Sequence, residues 1–211
     1  MSLVLYDFTM APSPRRARIF LAEKRVAVEK IQIDLRGNEH LREDYRAINP
    51  NCTVPALKLE DGTILTENAG IAAYIDALYP DPPLLGVTPL ERGLVANWNA
   101  RAELEGLHAV AEALRNSAPG LSDRALTGPE NFAQIPQLAE RGLKRLHRFF
   151  NALEMRLEGR EFLAIDQLSM ADITAWVVVD FARAVRVKPQ EHHANLNRWK
   201  AALAVRPAFD A

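Results

Sequence analysis

Asn49-Pro50-Asn51-Cys52-Thr53-Val54-Pro55-Ala56-Leu57-Lys58-Leu59 decides the fold of this 211-residue chain. The residue before a proline is pushed out of the α region, so the helical pattern upstream stops at Asn49-Pro50. Pro55 stands directly ahead of an alternating segment, residues 56–60. A proline is tolerated at the head of a strand, because the first residue need not donate to the ladder. A cis Val54–Pro55 bond turns the chain sharply and leaves the Val54 N–H and C=O facing outward. A backbone pair exposed in this way can dock an extended peptide as though it were a short extra strand. Taken alone, the stretch also reads as a loop-to-strand proline with no ligand.

Working outward, Leu3-Val4-Leu5-Tyr6-Asp7-Phe8 has the apolar, β-favouring character of a core strand. The loop Thr9-Met10-Ala11-Pro12-Ser13-Pro14 breaks it. Pro14 suits a first helical position with Ser13 as N-cap. The helix it opens runs to about residue 24, with Ala17, Phe20 and Leu21 inward and Arg15, Arg16 and Glu23 partly outside. Residues 31–35 alternate as a strand, Gly37-Asn38 ends it, and residues 39–47 read as a short helix. Beyond the deciding stretch, Asp61-Gly62 between alternating segments 56–60 and 63–66 is a hairpin signal. Asn68 is the expected N-cap of a helix over 69–79. The order is β-α-β-α-β-β-α.

Pro80-Asp81-Pro82-Pro83 is a stiff break, after which the pattern is helical only. The expected division is an α/β domain over 1–79, a linker over 80–87 and an all-α domain over 88–211. Thr88-Pro89-Leu90-Glu91 and Ser169-Met170-Ala171-Asp172 are capping boxes. The first opens a helix to about residue 116; the second opens a helix apolar on nearly all sides, placed at the centre of its domain. Two further helices are expected over 132–158 and about 193–204. Lys+Arg 26 against Asp+Glu 27 gives no general attraction to nucleic acid or a membrane surface. One cysteine, Cys52, excludes an internal disulfide and suits a reducing, cytoplasmic setting. No leader pattern and no apolar run near about 18 residues is found. His147 and His192-His193 lack ligand-like neighbours, so no metal is expected.

With these motifs in order, the chain resembles the cytosolic glutathione transferases from about residue 3 to 207. The blocks that carry the resemblance are Ser13-Pro14-Arg15-Arg16 with the helix after it, Asn49-Pro50, Thr53-Val54-Pro55, Glu67-Asn68, Phe162-Leu163 and Ser169-Met170-Ala171-Asp172. The resemblance implies a thioredoxin-like N-terminal domain with Pro55 cis, followed by an all-α C-terminal domain. The Ala-Pro-Ser-Pro-Arg-Arg loop is similar to a bacterial and fungal subclass that often lacks the usual catalytic serine, tyrosine or cysteine. Glutathione is then the co-substrate, with no separate cofactor. Val54 pairs by backbone with its cysteinyl part, beside Pro55. Glu67 accepts from the γ-glutamyl ammonium. Asn68 receives the γ-glutamyl carboxylate at a helix N-terminus, where orphan N–H groups favour an anion. His40 falls where related classes bind the glycine carboxylate; otherwise it is a solvated helix residue. Cys52 is read as a small filler beside the ligand.

The implied reaction is attack by the glutathione thiolate on a small hydrophobic electrophile, with peroxidase activity a further expectation. A free thiol has a pKa of about 8.5, so the protein must stabilise the thiolate. Ala11 occupies the usual serine position and has no hydroxyl to give. Ser13 and then Thr9 are the nearest hydroxyls, though Ser13 is also the expected cap. The subclass offers a third route: the N–H groups of the first helix, with a water held by His108, Asn116 or Ser117. Met10, Ala11, Pro12, Arg101, Leu104, Glu105 and His108 are the candidates for lining the second-substrate cleft; Trp98 shares the helical spacing, and core or dimer packing explains it equally well. A homodimer is expected. The alternatives are a non-catalytic glutathione-binding or scaffold protein of the same fold, and a thiol oxidoreductase using Cys52.

Overall fold

The computed structural model describes residues 3–211. A mixed sheet is built from β1 (Val4–Asp7), β2 (Glu29–Gln32), β3 (Ala56–Lys58) and β4 (Ile64–Leu65), in the order β2-β1-β3-β4. β1 and β2 are parallel, with Val4 opposite Glu29, whereas β3 runs antiparallel to both β1 and β4. A parallel pair needs a crossover, and helix α1 (Pro12–Glu23) supplies it. The Asp61-Gly62 turn forms as expected: Gly62 has φ +88 and the Asp61 carboxylate accepts from Thr63 N–H at 2.9 Å.

Several boundaries differ from the sequence reading. β2 lies at 29–32 rather than 31–35, because its pairing to β1 is set by register and all four residues are exposed at the sheet edge. The helix expected over 39–47 divides into a 3₁₀ turn, Glu39–Leu41, and the short α2 (Glu43–Arg46), because Arg42 between them is extended. α1 begins at Pro12 with Ala11 as N-cap, so Ser13 lies inside the first turn and caps nothing. Likewise Glu67, not Asn68, is the N-cap of α3 (Asn68–Leu78). Arg16, expected partly outside, is only 5% exposed.

The remaining helices are α4 (Pro89–Arg101), α5 (His108–Arg115), α6 (Pro136–Arg156), α7 (Met170–Phe181) and α8 (Ala194–Ala204). Both capping boxes form; Asp172 accepts from Ser169, Leu163 N–H and the Trp199 indole. Burial pushes the Asp172 carboxyl up to about 6, against those donors. α7 is buried from Met170 to Val179 and packs against both α1 and α4. The main apolar core is continuous from Leu5, Ile19 and Phe20 to Leu146, Phe149 and Trp199. Arg15 ties α1 to α7 through Asp180 at 2.7 Å, and Lys24 donates to the carbonyls of Tyr79 and Pro82. The 80–87 segment is thus held down as well as stiff.

Between α4 and α5 the long helix widens into a π turn, Ala102–Leu107. Gly106 permits this against α6 and α7, since a Cβ there would come within 2.7 Å of Phe149 and 2.9 Å of Val178. Among the described residues no helix is long and apolar enough to cross a membrane.

Candidate functional site

The deciding corner is built by local bonds. The Tyr45 hydroxyl and the Asn49 amide both donate to Thr53 C=O, at 2.7 and 2.8 Å. Tyr6, Ile33, Tyr45, Val54 and Ala56 form a second small apolar cluster beneath it. The Val54–Pro55 bond is cis. Thr53 and Val54 therefore stand at a fixed position on the edge of a cleft of about 500 Å³ between the sheet domain and α5.

One wall of that cleft comes from the N-terminal half: Phe8, Met10-Ala11-Pro12-Ser13, His40, Cys52 to Val54, and Thr66-Glu67. The other comes from the helices: Glu103, Leu107, His108, Ala111, Leu114 and Arg115, with Arg124 and Thr127-Gly128 from the loop after α5. Of the sequence candidates, the structure brings together Met10, Ala11, Pro12, Ser13, His40, Val54, Glu67 and His108, with Cys52 buried among them. Pro55 is buried directly behind Val54.

Other candidates stand elsewhere. Thr9 is exposed and donates twice to the Gln32 side chain, at 3.0 and 2.9 Å. Asn116 accepts from Ile135 N–H and Ser117 donates to Ala113 C=O, so both finish the end of α5 rather than holding a water in the cleft. Arg101 pairs with Glu105 and stacks on Trp98, and Leu104 is exposed. None of Trp98, Arg101, Leu104 and Glu105 lines the cleft. Trp98 is buried in the core, and the cleft is lined by another stripe of the same long helix, Glu103, Leu107, Ala111 and Leu114, with the expected His108 beside it.

Ser13 is where the cleft becomes chemically specific. The Asn68 amide donates to the Ser13 carbonyl at 3.2 Å and to its hydroxyl oxygen at 3.0 Å. The bond to a carbonyl fixes which amide atom is nitrogen. Arg16 donates to the same hydroxyl oxygen at 3.2 Å, and its other terminal nitrogen is paired to Glu103. Both lone pairs of the Ser13 hydroxyl are engaged, so its proton is free to be donated. Burial pushes the Arg16 guanidinium pKa down, with Glu103 and Glu67 opposing that shift. Meanwhile Pro12 and Pro14 remove two of the N–H groups in the first turn of α1, leaving Ser13 N–H between them. A helix terminus with few donors depends more on the hydroxyl beside it.

At the other end, His40 is 9% exposed, and its Nδ1 is buried without a partner. Burial pushes its pKa down, and Arg124 and Arg115 push it the same way. The imidazole is thus neutral near pH 7. Sequence reading missed Arg16, Glu103, Arg115 and Arg124. Arg16 looked like a surface helix residue, Glu103 and Arg115 lie on the helix stripe that was not chosen, and Arg124 depends on how the loop after α5 folds back.

Comparison with known proteins agrees with this architecture. The model of the glutathione S-transferase N-terminal domain matches residues 11–78, and that of the C-terminal domain matches residues 120–207. Glutathione S-transferase 2 of Saccharomyces cerevisiae is 36% identical, over 98% of this chain and 87% of its own length. The crystal structure of Gtt2 from Saccharomyces cerevisiae superposes with a TM-score of 0.90 at 35% identity, covering 98% of both chains. A glutathione S-transferase domain-containing protein of Marinobacter aquaeolei superposes with a TM-score of 0.90 at 34% identity, covering 98% of this chain and 99% of its own.

Proposed function

The chain belongs to the glutathione S-transferase family, and from that premise we propose that it transfers the glutathione thiolate to small hydrophobic electrophiles with Ser13 as the sulfur's donor. The observation that carries this reading is the Ser13 hydroxyl, which accepts from Asn68 and Arg16 and has only its proton left to give. Donation to a thiolate stabilises the charged form and lowers the thiol pKa from about 8.5.

Glutathione lies along the N-terminal wall. The backbone of Val54 pairs with the cysteinyl residue, since among the described residues its N–H and C=O bond to nothing. Glu67 takes the γ-glutamyl ammonium. The Asn68 side chain is committed to Ser13, so it serves the γ-glutamyl carboxylate through its backbone N–H at the start of α3. His40, being neutral, hydrogen-bonds the glycyl end. Met10, Ala11 and Pro12 face Leu107 and His108 across the space for the electrophile. Cys52 stays a filler. The division of labour follows the expected domains, residues 1–79 for most of the glutathione contacts and 88–211 for the second substrate. The protein acts as a cytoplasmic homodimer without a cofactor, and the same thiolate serves peroxidase chemistry.

The test is glutathione conjugation to a chloronitrobenzene acceptor. Turnover in the native protein, strongly reduced in Ser13→Ala with glutathione binding retained, supports the reading. Calorimetric binding with no rate enhancement for any electrophile would replace it with a non-catalytic glutathione-binding protein.

A further inference from the structure

Arg115 and Arg124 line the cleft beside His40 and are paired to no carboxylate among the described residues. Arg115 donates to the carbonyls of Arg124 and Leu126, at 2.6 and 3.3 Å. Arg124 donates to the carbonyls of Glu130 and Gly128, at 3.2 and 2.7 Å, and to the Asn131 side chain at 3.0 Å. Glu112, one turn back along α5, is taken by Arg141 and Arg145. The carboxylates that line the cleft are Glu67 and Glu103, and Glu103 is taken by Arg16. Neutral carbonyls orient the two guanidinium groups without cancelling their charge. Against them stands an imidazole nine-tenths buried whose Nδ1 has no partner.

We infer that Arg115, Arg124 and His40 form a carboxylate subsite, supplied mainly by the C-terminal half. Guanidinium groups match a carboxylate in both charge and fork geometry, and a neutral imidazole adds a hydrogen bond without a further charge to desolvate. The loop that holds Arg124 also reaches the deciding corner: a Cβ on Gly128 would sit 3.8 Å from Asn51 C=O. The anion therefore binds where the two halves meet, at the end of the cleft that holds Cys52 and Thr53. The inference rests on the transferase reading for its ligands. Two carboxylates fit this chemistry, the glycyl carboxylate of glutathione and one carried by the electrophile.

The experiment is calorimetric titration of the full chain with four ligands: glutathione, its glycyl monoethyl ester, S-benzylglutathione and S-(para-carboxybenzyl)glutathione. The variants are Arg115→Gln with Arg124→Gln, and the matching pair of lysine substitutions. A loss of about tenfold confined to the carboxybenzyl ligand assigns the subsite to the electrophile. The same loss for every ligand except the ester assigns it to the glycyl carboxylate. The lysine pair, which keeps the charge, restores most of the affinity in either case. Equal weakening of all four ligands, no weakening, or no rescue by lysine overturns the inference. Turnover with the chloronitrobenzene acceptor is read separately. Its absence alongside selective binding loss removes the transferase reading and leaves the subsite; turnover with no selective loss does the reverse.

Discussion

The two walls of the cleft are made in different ways. The N-terminal wall is fixed by short-range bonds: Tyr45 and Asn49 pin Thr53, and Asn68 pins Ser13 from the adjoining helix. The helical wall is placed by packing, through a π turn that Gly106 allows to press against Phe149 and Val178. The contrast separates two kinds of information. The N-terminal wall offers backbone groups and a helix start, whose positions leave little room to vary. Side chains on a packed helix line the opposite wall of the same cleft, where a substitution leaves those local bonds in place.

The largest effect should fall on Ser13. Ser13→Ala is expected to lower kcat by about a hundredfold, the scale of losing one oriented donor to a developing or stabilised anion, with the glutathione Kd little changed. His108→Ala, on the facing wall, should change kcat far less; a reversal of that order in steady-state rates breaks the comparison. Next, Glu67→Gln should weaken glutathione about tenfold by calorimetry, since it removes a charge-assisted bond. Saturating glutathione should restore turnover.

The third prediction concerns the helical wall as a packed object. Gly106→Ala should cost about 1–3 kcal/mol of stability, seen as a lowered denaturation midpoint, because the new methyl group meets two buried side chains. The smallest effect belongs to His40. Its pKa lies below the ordinary histidine value, so the ring is neutral at pH 7 and gains charge only as the pH falls below about 6.5. Binding of S-methylglutathione, which has no thiol to titrate, should tighten by about threefold or less over that descent. The His40→Gln variant should show no such pH dependence.

The same contrast explains what could be read in advance. The order of strands and helices was legible because turn chemistry is local: Pro55 before a strand, Asp61-Gly62 in a hairpin, and two capping boxes. Glu67, proposed for the γ-glutamyl ammonium, was also legible, and it lines the cleft. The caps of α1 and α3 were each misplaced by a residue or two, because Pro12 fits the first helical position as well as Pro14 does, and Glu67 is extended where a cap must be. That shift changes the chemistry, since it releases the Ser13 hydroxyl from capping. The helical wall was legible only at His108. Trp98, Arg101, Leu104 and Glu105 keep regular spacing, but the cleft takes a different stripe of the helix, Glu103, Leu107, Ala111 and Leu114. Arg124 reaches the site only through a loop held by Gly128 and Glu130 carbonyls, a tertiary arrangement with no sequence period.

The most direct measurement is the pKa of glutathione's thiol while bound, followed by the ultraviolet absorbance of the thiolate across a pH titration. It is made on the native protein, Ser13→Ala and His108→Ala. The expected result is a bound thiol well below the free value of about 8.5, a return toward that value in Ser13→Ala, and little change in His108→Ala. An unchanged low pKa in Ser13→Ala, with a raised one in His108→Ala, would contradict the assignment and move thiol activation to the helical wall.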